Sequence, residues 1–479
     1  MIDNLPPYPK YKDSGLPWLP KIPASWSVVR NGRLFTQRNK TGHSDLPILE
    51  VSLRSGVRVR DMKDGGRKQV MSDRTKYKQA CAGDLAYNTM RMWQGAVGVA
   101  PVDGLVSPAY VVAAPVPDVD AAYIARVFRT SEYLREIDTF SRGIVKDRNR
   151  LYWEAFKQIP TPTPPLEEQR AIVRFLEHAE RRMRSAINAK RSIIRRVEEQ
   201  RQVLIHQAVT GAFTAAERRV PSELRAIGSI PHNWSVRRLK TLVHRIDQGV
   251  SPQAESYLAD GDAWGVLKAG CVNRGVFRER EHKRLPPGFV IDPQIVVNSG
   301  DTLISRACGS PNLVGSVGRV RSLSFRLVLS DKTFRPVFND SVDPEFMVLA
   351  MNSRYYREQV EQAISGAEGL ANNLPLSALR AFRFAVPPLT EQRALVERCT
   401  SLTRTLAATI GRAEVEIHLL REYMDRLTRD MVFGALDGRD AAARVPATRL
   451  SSPTLGVSGE SEEALHDDEL ADDAEEVRV

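Results

Sequence analysis

Two long stretches of the chain carry apolar residues at spacings of three and four. Each follows a Pro-Pro pair and continues for roughly 45 residues almost without Gly or Pro. In the second stretch the series comprises Leu395, Cys399, Leu402, Leu406, Thr409, Ala413, Ile417, Leu420, Met424, Leu427 and Met431. In the first stretch the positions 223 residues earlier are Ile172, Leu176, Ala179, Met183, Ala186, Lys190, Ile194, Val197, Arg201, Leu204 and Ala208. This near-heptad pattern predicts two long helices, each with one apolar seam.

Two such seams in one chain are expected to pack against each other. A whole globular region lies between the two helices and returns the chain, so we predict an antiparallel coiled coil. At 1.5 Å per residue, the roughly 37 residues of a seam would form a rod of ~55 Å that acts as a spacer. The alternative, in which each helix packs only on its own domain, stays open.

The rest of the sequence has a different periodicity. From about residue 22 to 160, and again from about 230 to 385, short apolar runs alternate with Gly and Pro, which predicts strands and turns. One or two helices are expected to interrupt the strands near residues 121–137 and 344–363. The predicted fold class is therefore α+β.

Repeated motifs indicate that the two halves are copies of each other. Residues 22–28 read Ile-Pro-Ala-Ser-Trp-Ser-Val and return as Ile-Pro-His-Asn-Trp-Ser-Val at 230–236, an offset of 208. Residues 164–171 read Pro-Pro-Leu-Glu-Glu-Gln-Arg-Ala and return with one difference at 387–394, an offset of 223. The 15 extra residues of the second copy must then lie in its globular part. We predict a tandem duplication of a mixed α/β domain, each copy followed by a long helix.

The net charge of +11 is unevenly distributed. Residues 460–479 contain ten acidic residues and one arginine, so residues 1–459 carry +20. A basic body suits a polyanion, because neutralised phosphates release condensed counterions, although solubility alone is an alternative explanation. Two unlike basic heads on a spacer predict an asymmetric, bipartite site on double-stranded DNA.

Other features bear on location and chemistry. No run approaches the ~18 apolar residues of a membrane span, and the first residues do not resemble a signal peptide, so we expect a cytoplasmic protein with no membrane partner. The four cysteines are far apart and are expected to be reduced and mostly buried. The sequence contains neither a Gly-Lys dipeptide nor an Asn-Pro-Pro-aromatic run, the marks of nucleotide binding and of adenine methylation. We expect no catalytic site, metal or cofactor in this chain.

Several motifs together resemble the specificity subunits of type I DNA restriction-modification enzymes. They are the segment Tyr-Lys-Asp-Ser-Gly-Leu-Pro-Trp-Leu at 11–19, the paired Ile-Pro-x-x-Trp sequences, the Pro-Pro-Leu-x-Glu-Gln-Arg helix starts and Ala-Val-Thr-Gly at 208–211. The match covers about residues 11 to 436. The resemblance implies two target recognition domains and a central helix pair, two bound DNA methyltransferase subunits, and ATP-driven restriction subunits. S-adenosylmethionine, ATP and Mg²⁺ would then be held by those partners.

The chain is divided accordingly into five parts. They are target recognition domain 1 (1–163), spacer helix 1 (164–212), target recognition domain 2 (213–386), spacer helix 2 (387–436) and an acidic tail (437–479). The low hydrophobicity of the tail predicts disorder, and the family pattern offers no role for it. A sharper hypothesis is that the tail acids compete with nonspecific DNA for the basic body.

The predicted function is a non-catalytic subunit that recognises a bipartite DNA target and directs methyltransferase and restriction partners to it. Two alternatives stay open. The chain is a stand-alone restriction endonuclease with a cryptic metal site, or it is a structural coiled-coil adaptor.

Two segments of the first copy are candidate DNA contacts. Residues 88–95 supply Asn88, Arg91, Trp93 and Gln94, whose amide and guanidinium groups suit the edges of adenine or guanine. The alternative is a structural turn whose tryptophan packs inward. Residues 141–150 supply Arg142, Lys146, Arg148, Asn149 and Arg150, for which phosphate anchoring is favoured over base reading.

The corresponding places in the second copy are less basic. The candidates there are Ser305, Arg306, Asn372 and Asn373. Three further residues, Lys268, Asn273 and Arg274, follow an apparent strand at 264–267, and a solvated loop is an equal alternative for them.

Overall fold

The computed structural model describes residues 5–53, 55–60, 74–142, 149–215, 218–224, 226–364 and 372–445. The chain forms two compact units, one made of residues 1–187 and 418–479 and the other of residues 188–417. In the described stretches, no helix is long and apolar enough to cross a membrane.

The first unit is built on a four-stranded antiparallel sheet. The strands of the whole unit are β1 (Tyr11–Leu16), β2 (Leu19–Pro23), β3 (Ser27–Arg30), β4 (Phe35–Gln37), β5 (Leu49–Ser52), β6 (Gly56–Val59), β7 (Lys78–Ala80), β8 (Leu85–Asn88), β9 (Val97–Val99), β10 (Gly104–Val106), β11 (Tyr110–Pro115) and β12 (Pro160–Thr163). The sheet has the order β4-β11-β8-β9. Leu85 and Tyr87 of β8 enter the main core, whereas Ala86 packs on the opposite face with Leu49 and Val57. Because both faces are covered, β8 is an uninterrupted buried run.

The second unit contains the same sheet. Its strands are β13 (Arg219–Pro221), β14 (Ser229–Pro231), β15 (Ser235–Arg238), β16 (Val243–Gln248), β17 (Trp264–Leu267), β18 (His282–Arg284), β19 (Thr302–Ser305), β20 (Ala307–Cys308), β21 (Val317–Arg319), β22 (Arg326–Val328), β23 (Thr333–Phe338), β24 (Asn372–Asn373) and β25 (Arg383–Val386). The four-stranded sheet has the order β16-β23-β19-β21, equivalent strand by strand to that of the first unit. A three-stranded sheet, β18-β17-β22, is added beside it.

Equivalent strands show where the second copy is longer. The offset between first residues is 208 from β4 to β16, 217 from β8 to β19 and 223 from β11 to β23. The 15 extra residues therefore lie in the globular part, as predicted. They are shared among several loops and include the connections that follow β19.

The two long helices and the helical segments near 121–137 and 344–363 form as predicted, and further short helices, which the sequence did not predict, add to them. The helices are α1 (Asn31–Leu34), α2 (Ala121–Phe128), α3 (Ser131–Phe140), α4 (Trp153–Phe156), α5 (Leu166–Val209), α6 (Pro344–Ala350), α7 (Arg354–Ala363), α8 (Leu376–Ala381), α9 (Leu389–Val432) and α10 (Arg439–Arg444). Each predicted helical segment of the globular parts is two helices, α2 with α3 and α6 with α7. Asp120 and Asp343 cap α2 and α6, each accepting two backbone N–H bonds through Oδ1.

The predicted seams are confirmed on both long helices, which have 44 residues each and a length of ~66 Å. Every seam position of α5 is buried or half-buried. On α9 one position is wrong, because Leu402 is 45% exposed and Thr403 is half-buried instead. The charged interruption at Lys190 forms an ion pair with Glu416.

The long helices are antiparallel. In the first unit, Leu176 near the start of α5 shares a core with Leu427 and Met431 near the end of α9. In the second unit, Ala208 near the end of α5 packs with Cys399 near the start of α9. The predicted antiparallel pairing is therefore confirmed within each unit.

The first residues of the predicted acidic tail are not disordered. The backbone N–H of Asp437 donates to the Pro6 carbonyl at 2.7 Å, and helix α10 buries Ala442 completely. The Arg439 guanidinium lies 5.3 Å from the centre of the Tyr8 ring and holds the pKa of Asp437 below its usual value. Sequence composition could not indicate that this segment is ordered, because its anchoring contacts are with residues near the start of the chain. Residues 446–479 lie outside the described part.

Candidate nucleic-acid interface

The repeated tryptophan and glutamate motifs meet inside each unit. Trp26 is fully buried, and its indole Nε1–H donates to Oε1 of Glu168 at 3.0 Å. The Trp234 indole donates to Oε1 of Glu391 at 3.1 Å. Tyr8 also donates to Glu168, at 2.5 Å, and burial followed by this hydrogen bond raises the pKa of Tyr8 well above its usual value. Each Ile-Pro-x-x-Trp motif is thus anchored on the start of the long helix that follows its own domain.

The glutamine beside each of these glutamates completes the junction. Oε1 of Gln169 accepts from the backbone N–H of Asp120 at 2.8 Å, and Oε1 of Gln392 accepts from that of Asp343 at 2.7 Å. Both glutamines are fully buried. The glutamine of each Glu-Gln pair therefore joins the long helix to the N-cap residue of α2 or α6. Sequence reasoning missed this structural role, for which the only signal was the duplication of the motif.

The first candidate loop follows β8. Asn88 is buried, and its Oδ1 accepts from the backbone N–H of Met90 at 3.0 Å. Trp93 donates through Nε1 to the Met90 carbonyl at 3.0 Å, and its ring packs against the core. These bonds hold the turn, in line with the structural alternative, while contacts of Asn88 and Trp93 with DNA stay a prediction. Arg91 is half-buried and Gln94 is exposed, so these two stay candidate contacts.

The second candidate segment closes against the first. The backbone N–H of Leu151 donates to the Thr89 carbonyl at 2.9 Å. Arg142 and Arg150 face each other through two backbone hydrogen bonds of 3.1 and 3.0 Å, and the Arg142 side chain is exposed. Two segments that are some 50 residues apart in sequence are thus brought to one place.

Three more predicted residues belong to this segment. The side chain of Asn149 donates through Nδ2 to Oδ1 of Asp138 at 3.0 Å, so its amide is oriented by α3. Lys146 and Arg148 lie outside the described residues. The structure therefore leaves their predicted contacts as predictions.

The second unit repeats this juxtaposition. The backbone N–H of Leu374 donates to the Arg306 carbonyl at 2.8 Å, the counterpart of the Leu151 contact. Strand β20 pairs with β24, which places Ala307 opposite Asn373. The predicted Ser-Arg and Asn-Asn segments are therefore neighbours, at the place where the first unit carries Arg142 and Arg150.

The individual side chains of this second site are mostly turned inward. Ser305 is fully buried. The Arg306 guanidinium donates to the Asp331 carbonyl at 2.9 Å and lies 5.8 Å from the centre of the Phe334 ring, so it supports the sheet. Asn372 donates through Nδ2 to the Gly309 carbonyl at 3.4 Å.

The remaining predicted residues lie on and before a 3-10 segment, Ala269–Gly275, that packs against β19. Lys268 is 3.9 Å from a carboxylate oxygen of Glu281, a distance typical of a weak surface ion pair. Asn273 is half-buried, and the exposed Arg274 has a φ of +59°. Residues other than Gly and Asn rarely adopt this backbone conformation.

The metal-ligand side chains and cysteines of the described residues do not form a further candidate site. Within the described ranges, no three His, Cys, Asp or Glu side chains are grouped so that they could hold a metal ion. All four cysteines are free; Cys271 and Cys399 are buried, and the other two are half-buried. Burial raises the pKa of the Cys271 thiol to about 12.

Known proteins provide an independent comparison. No family model matches the chain. It is 31% identical over 161 residues to the EcoEI specificity subunit, a type I restriction enzyme subunit of Escherichia coli, covering 33% of this chain and 27% of the relative. It is 22% identical over 348 residues to the EcoKI specificity subunit of Escherichia coli strain K12, covering 72% and 70%. The resemblance to type I restriction specificity subunits is confirmed.

The extent of the likeness differs between sequence and fold. The chain spans about a quarter to just over half the length of the curated specificity subunits that it matches first. One chain of a solved type I restriction-modification system has a TM-score of 0.56 at 17% identity, covering 87% of this chain and 100% of that chain. This likeness supports the fold class of two α+β domains with paired long helices.

Proposed function

We propose that this chain is the DNA-recognition subunit of a type I restriction-modification complex and that each unit reads one half of a bipartite, asymmetric target. One observation carries the proposal. The two copies share a sheet and a pair of juxtaposed segments, yet they present different side chains at that place. The first copy has Arg142 and Arg150 there, and the second has Asn373 opposite Ala307. One scaffold with two chemistries is what two different half-sites require.

The charge of the first site supports a DNA partner. Guanidinium groups bind phosphate oxygens and the O6 and N7 acceptors of guanine, and they retain their charge at every physiological pH. Arg91, Arg142 and Arg150 lie on the two joined segments of the first unit. We assign to them phosphate anchoring and base contacts in the first half-site, with Gln94 as a further amide contact.

The long helices are assigned a second role, the binding of methyltransferase subunits. Large apolar side chains between 43% and 58% exposed stand on both helices, mostly away from the seam. They are Ile193, Val203, Leu402 and Val415 in the second unit and Leu419 and Tyr423 in the first. Exposed large apolar side chains on a charged helix support a partner surface. Apart from Leu402, which the seam series included, these residues lie outside the predicted seam.

Catalysis is assigned to the partners. In the proposed complex, methyltransferase subunits bind S-adenosylmethionine, and restriction subunits bind ATP and Mg²⁺. This chain contributes recognition, position and spacing. The acidic residues beyond 445 keep their predicted role as a competitor of nonspecific DNA.

Modified-base sequencing of host DNA is the direct test. Deleting the gene should abolish methylation at one bipartite motif, and restoring it should recover that motif. The control is the methylation of unrelated motifs, which should not change. An unchanged set of methylated motifs after deletion would contradict the proposal and favour the adaptor alternative.

The spacing of the half-sites is expected to depend on helix length. One heptad adds ~10 Å to an α-helix, or about three base pairs of B-DNA. Inserting one heptad into residues 174–207 of α5 and one into residues 397–429 of α9 should widen the gap between half-sites and leave their sequences unchanged. The readout is again the methylated motif.

Single insertions provide the matched control for this experiment. A heptad in α5 alone, or in α9 alone, leaves the two seams unequal in length and should abolish methylation. Altered half-sites with an unchanged gap would show that the helices do not set the spacing.

The nuclease alternative is tested with purified protein. The full chain alone, given Mg²⁺, ATP and S-adenosylmethionine, should neither cleave nor methylate duplex DNA. Robust cleavage by the chain alone would favour a cryptic metal site.

A further inference from the structure

Besides the Tyr355 hydroxyl, three side-chain oxygens of the second unit are buried and have no hydrogen-bond partner among the described residues. They are Oδ1 of Asn273, Oγ of Ser305 and Oδ1 of Asn373. The segment Ala269–Gly275, which carries Asn273, packs against β19 and β20. Ser305 ends β19, and Asn373 lies on β24, which pairs with β20. We call these three residues the acceptor cluster.

A group of unpaired buried oxygens in one neighbourhood is unusual. Folded proteins satisfy nearly all buried polar atoms, and the exceptions are concentrated at functional sites. The residue next to Asn273 adds a second departure from the rule. Arg274 is the one non-glycine residue with positive φ in the described part of the chain. Such backbone strain persists where the surroundings impose it, often beside ligands.

The acceptor cluster is specific to the second copy. Its Ser305 stands where the first copy has Asn88, whose Oδ1 is satisfied by the Met90 N–H. Its Asn373 stands where the first copy has Arg150, a side chain that can only donate hydrogen bonds. The second copy therefore offers oxygens where the first offers a guanidinium group.

We propose that the acceptor cluster accepts hydrogen bonds from the exocyclic amino group of a base in the second half-site. This inference rests on the proposed function and names the chemistry that the second unit reads. Adenine N6 and cytosine N4 are amino donors in the major groove, whereas guanine O6 and thymine O4 are acceptors at the equivalent positions. The amide oxygens of Asn273 and Asn373, which only accept, distinguish adenine from guanine, or cytosine from thymine, and the Ser305 hydroxyl accepts beside them. Because its oxygens are buried in the free chain, the segment Ala269–Gly275 opens to admit the base.

The test replaces the gene in the host with the Ser305→Ala variant and sequences modified bases. One position of the motif should relax by a transition, from adenine to either purine or from cytosine to either pyrimidine. Methylation at the newly accepted sites should rise about tenfold, the factor that corresponds to 1.4 kcal/mol of lost discrimination. The half-site read by the first unit should stay unchanged, which shows that the variant folds and assembles.

A second readout separates recognition from structure. Deleting an unsatisfied hydroxyl removes a buried polar group without breaking a bond, so the unfolding midpoint of the purified Ser305→Ala chain should be unchanged or higher. Ser299→Ala is the matched control, because the Ser299 hydroxyl donates to the Arg321 carbonyl at 2.7 Å. That variant should lower the midpoint slightly and leave the motif intact.

The two asparagines provide variants that keep the proposal falsifiable. Asn373→Ala should relax the same position as Ser305→Ala, whereas Asn373→Asp keeps an acceptor and should keep the base preference. If Ser305→Ala abolishes all methylation, the comparison of Asn373→Ala with Asn373→Asp tests the inference instead. An unchanged motif in Ser305→Ala and Asn373→Ala, with a lowered midpoint, would overturn the inference and show a structural role only. Failure of the proposed function is distinct, because deleting the gene would then leave every methylated motif in place.

Discussion

Replacing Glu168 with alanine is expected to lower the free energy of unfolding of the first unit by about 3–5 kcal/mol. The carboxylate is 6% exposed and accepts from both the Trp26 indole and the Tyr8 hydroxyl. Those donors are buried in turn, so alanine would leave two polar groups without water or partner. Urea denaturation of the full chain, followed by tryptophan fluorescence, measures the loss.

Two variants give this prediction its controls. Glu168→Gln keeps one side-chain oxygen in place and should cost much less than alanine. Glu391→Ala removes the equivalent carboxylate of the second unit, which accepts from Trp234, from the Thr214 hydroxyl and from the exposed Asn233. Because Glu391 is only half-buried, water can replace part of what is lost, and the effect should be smaller. Equal effects of Glu168→Ala and Glu391→Ala would contradict the assigned importance of burial.

The long helices were predictable because their pattern is local. A side chain on a helix meets its neighbours three and four positions away, so a seam is visible in one sequence. The failure at Leu402 has the same origin. Leu402 and Thr403 are adjacent, and a heptad series with one 4-4 step does not decide which of them faces the partner helix. The packing of α9 against the partner helix α5 decides which of the two side chains is buried.

The duplicated domains were predictable in outline, and their junction was not. Repeated motifs indicated the two copies, and the apolar pattern indicated helices near residues 121–137 and 344–363. The purpose of the Glu-Gln pair depended on contacts between residues far apart in sequence, such as Trp26 with Glu168. The motif was therefore visible as a resemblance, while its structural role required coordinates.

The candidate site was predicted by residue type, and type alone could not separate contact from support. Asn88, Trp93 and Arg306 have side chains suited to DNA, yet each is bonded within its own unit. The sequence did propose segments that the structure brings together in each copy. It could not show that Arg150 lies near Thr89, or Asn373 near Ala307, because the pairing bridges some 60 residues in each copy.

Replacing Gly434 with alanine is expected to destabilise the first unit by about 2–5 kcal/mol. Gly434 follows α9 with a φ of +73°, and a Cβ there would lie 2.4 Å from Cδ of Pro23. The proline ring cannot move aside easily, since β2 holds it opposite Tyr11, whose hydroxyl donates to the Gly434 carbonyl at 3.1 Å. Gly434 is thus where the end of α9 meets the first Ile-Pro-x-x-Trp sequence.

Two other glycines separate the causes of this expected loss. Gly15 has nearly the same φ, +74°, with nothing within 4 Å of its missing Cβ, so Gly15→Ala measures the backbone strain alone. Gly411 lies inside α9 with open space around it, so Gly411→Ala should stabilise the chain by about 1 kcal/mol through helix propensity. The excess of Gly434→Ala over Gly15→Ala then measures the contact with Pro23. If Gly434→Ala and Gly15→Ala lose the same free energy in urea denaturation, α9 does not end against Pro23, and the junction assigned between the end of α9 and β2 is wrong.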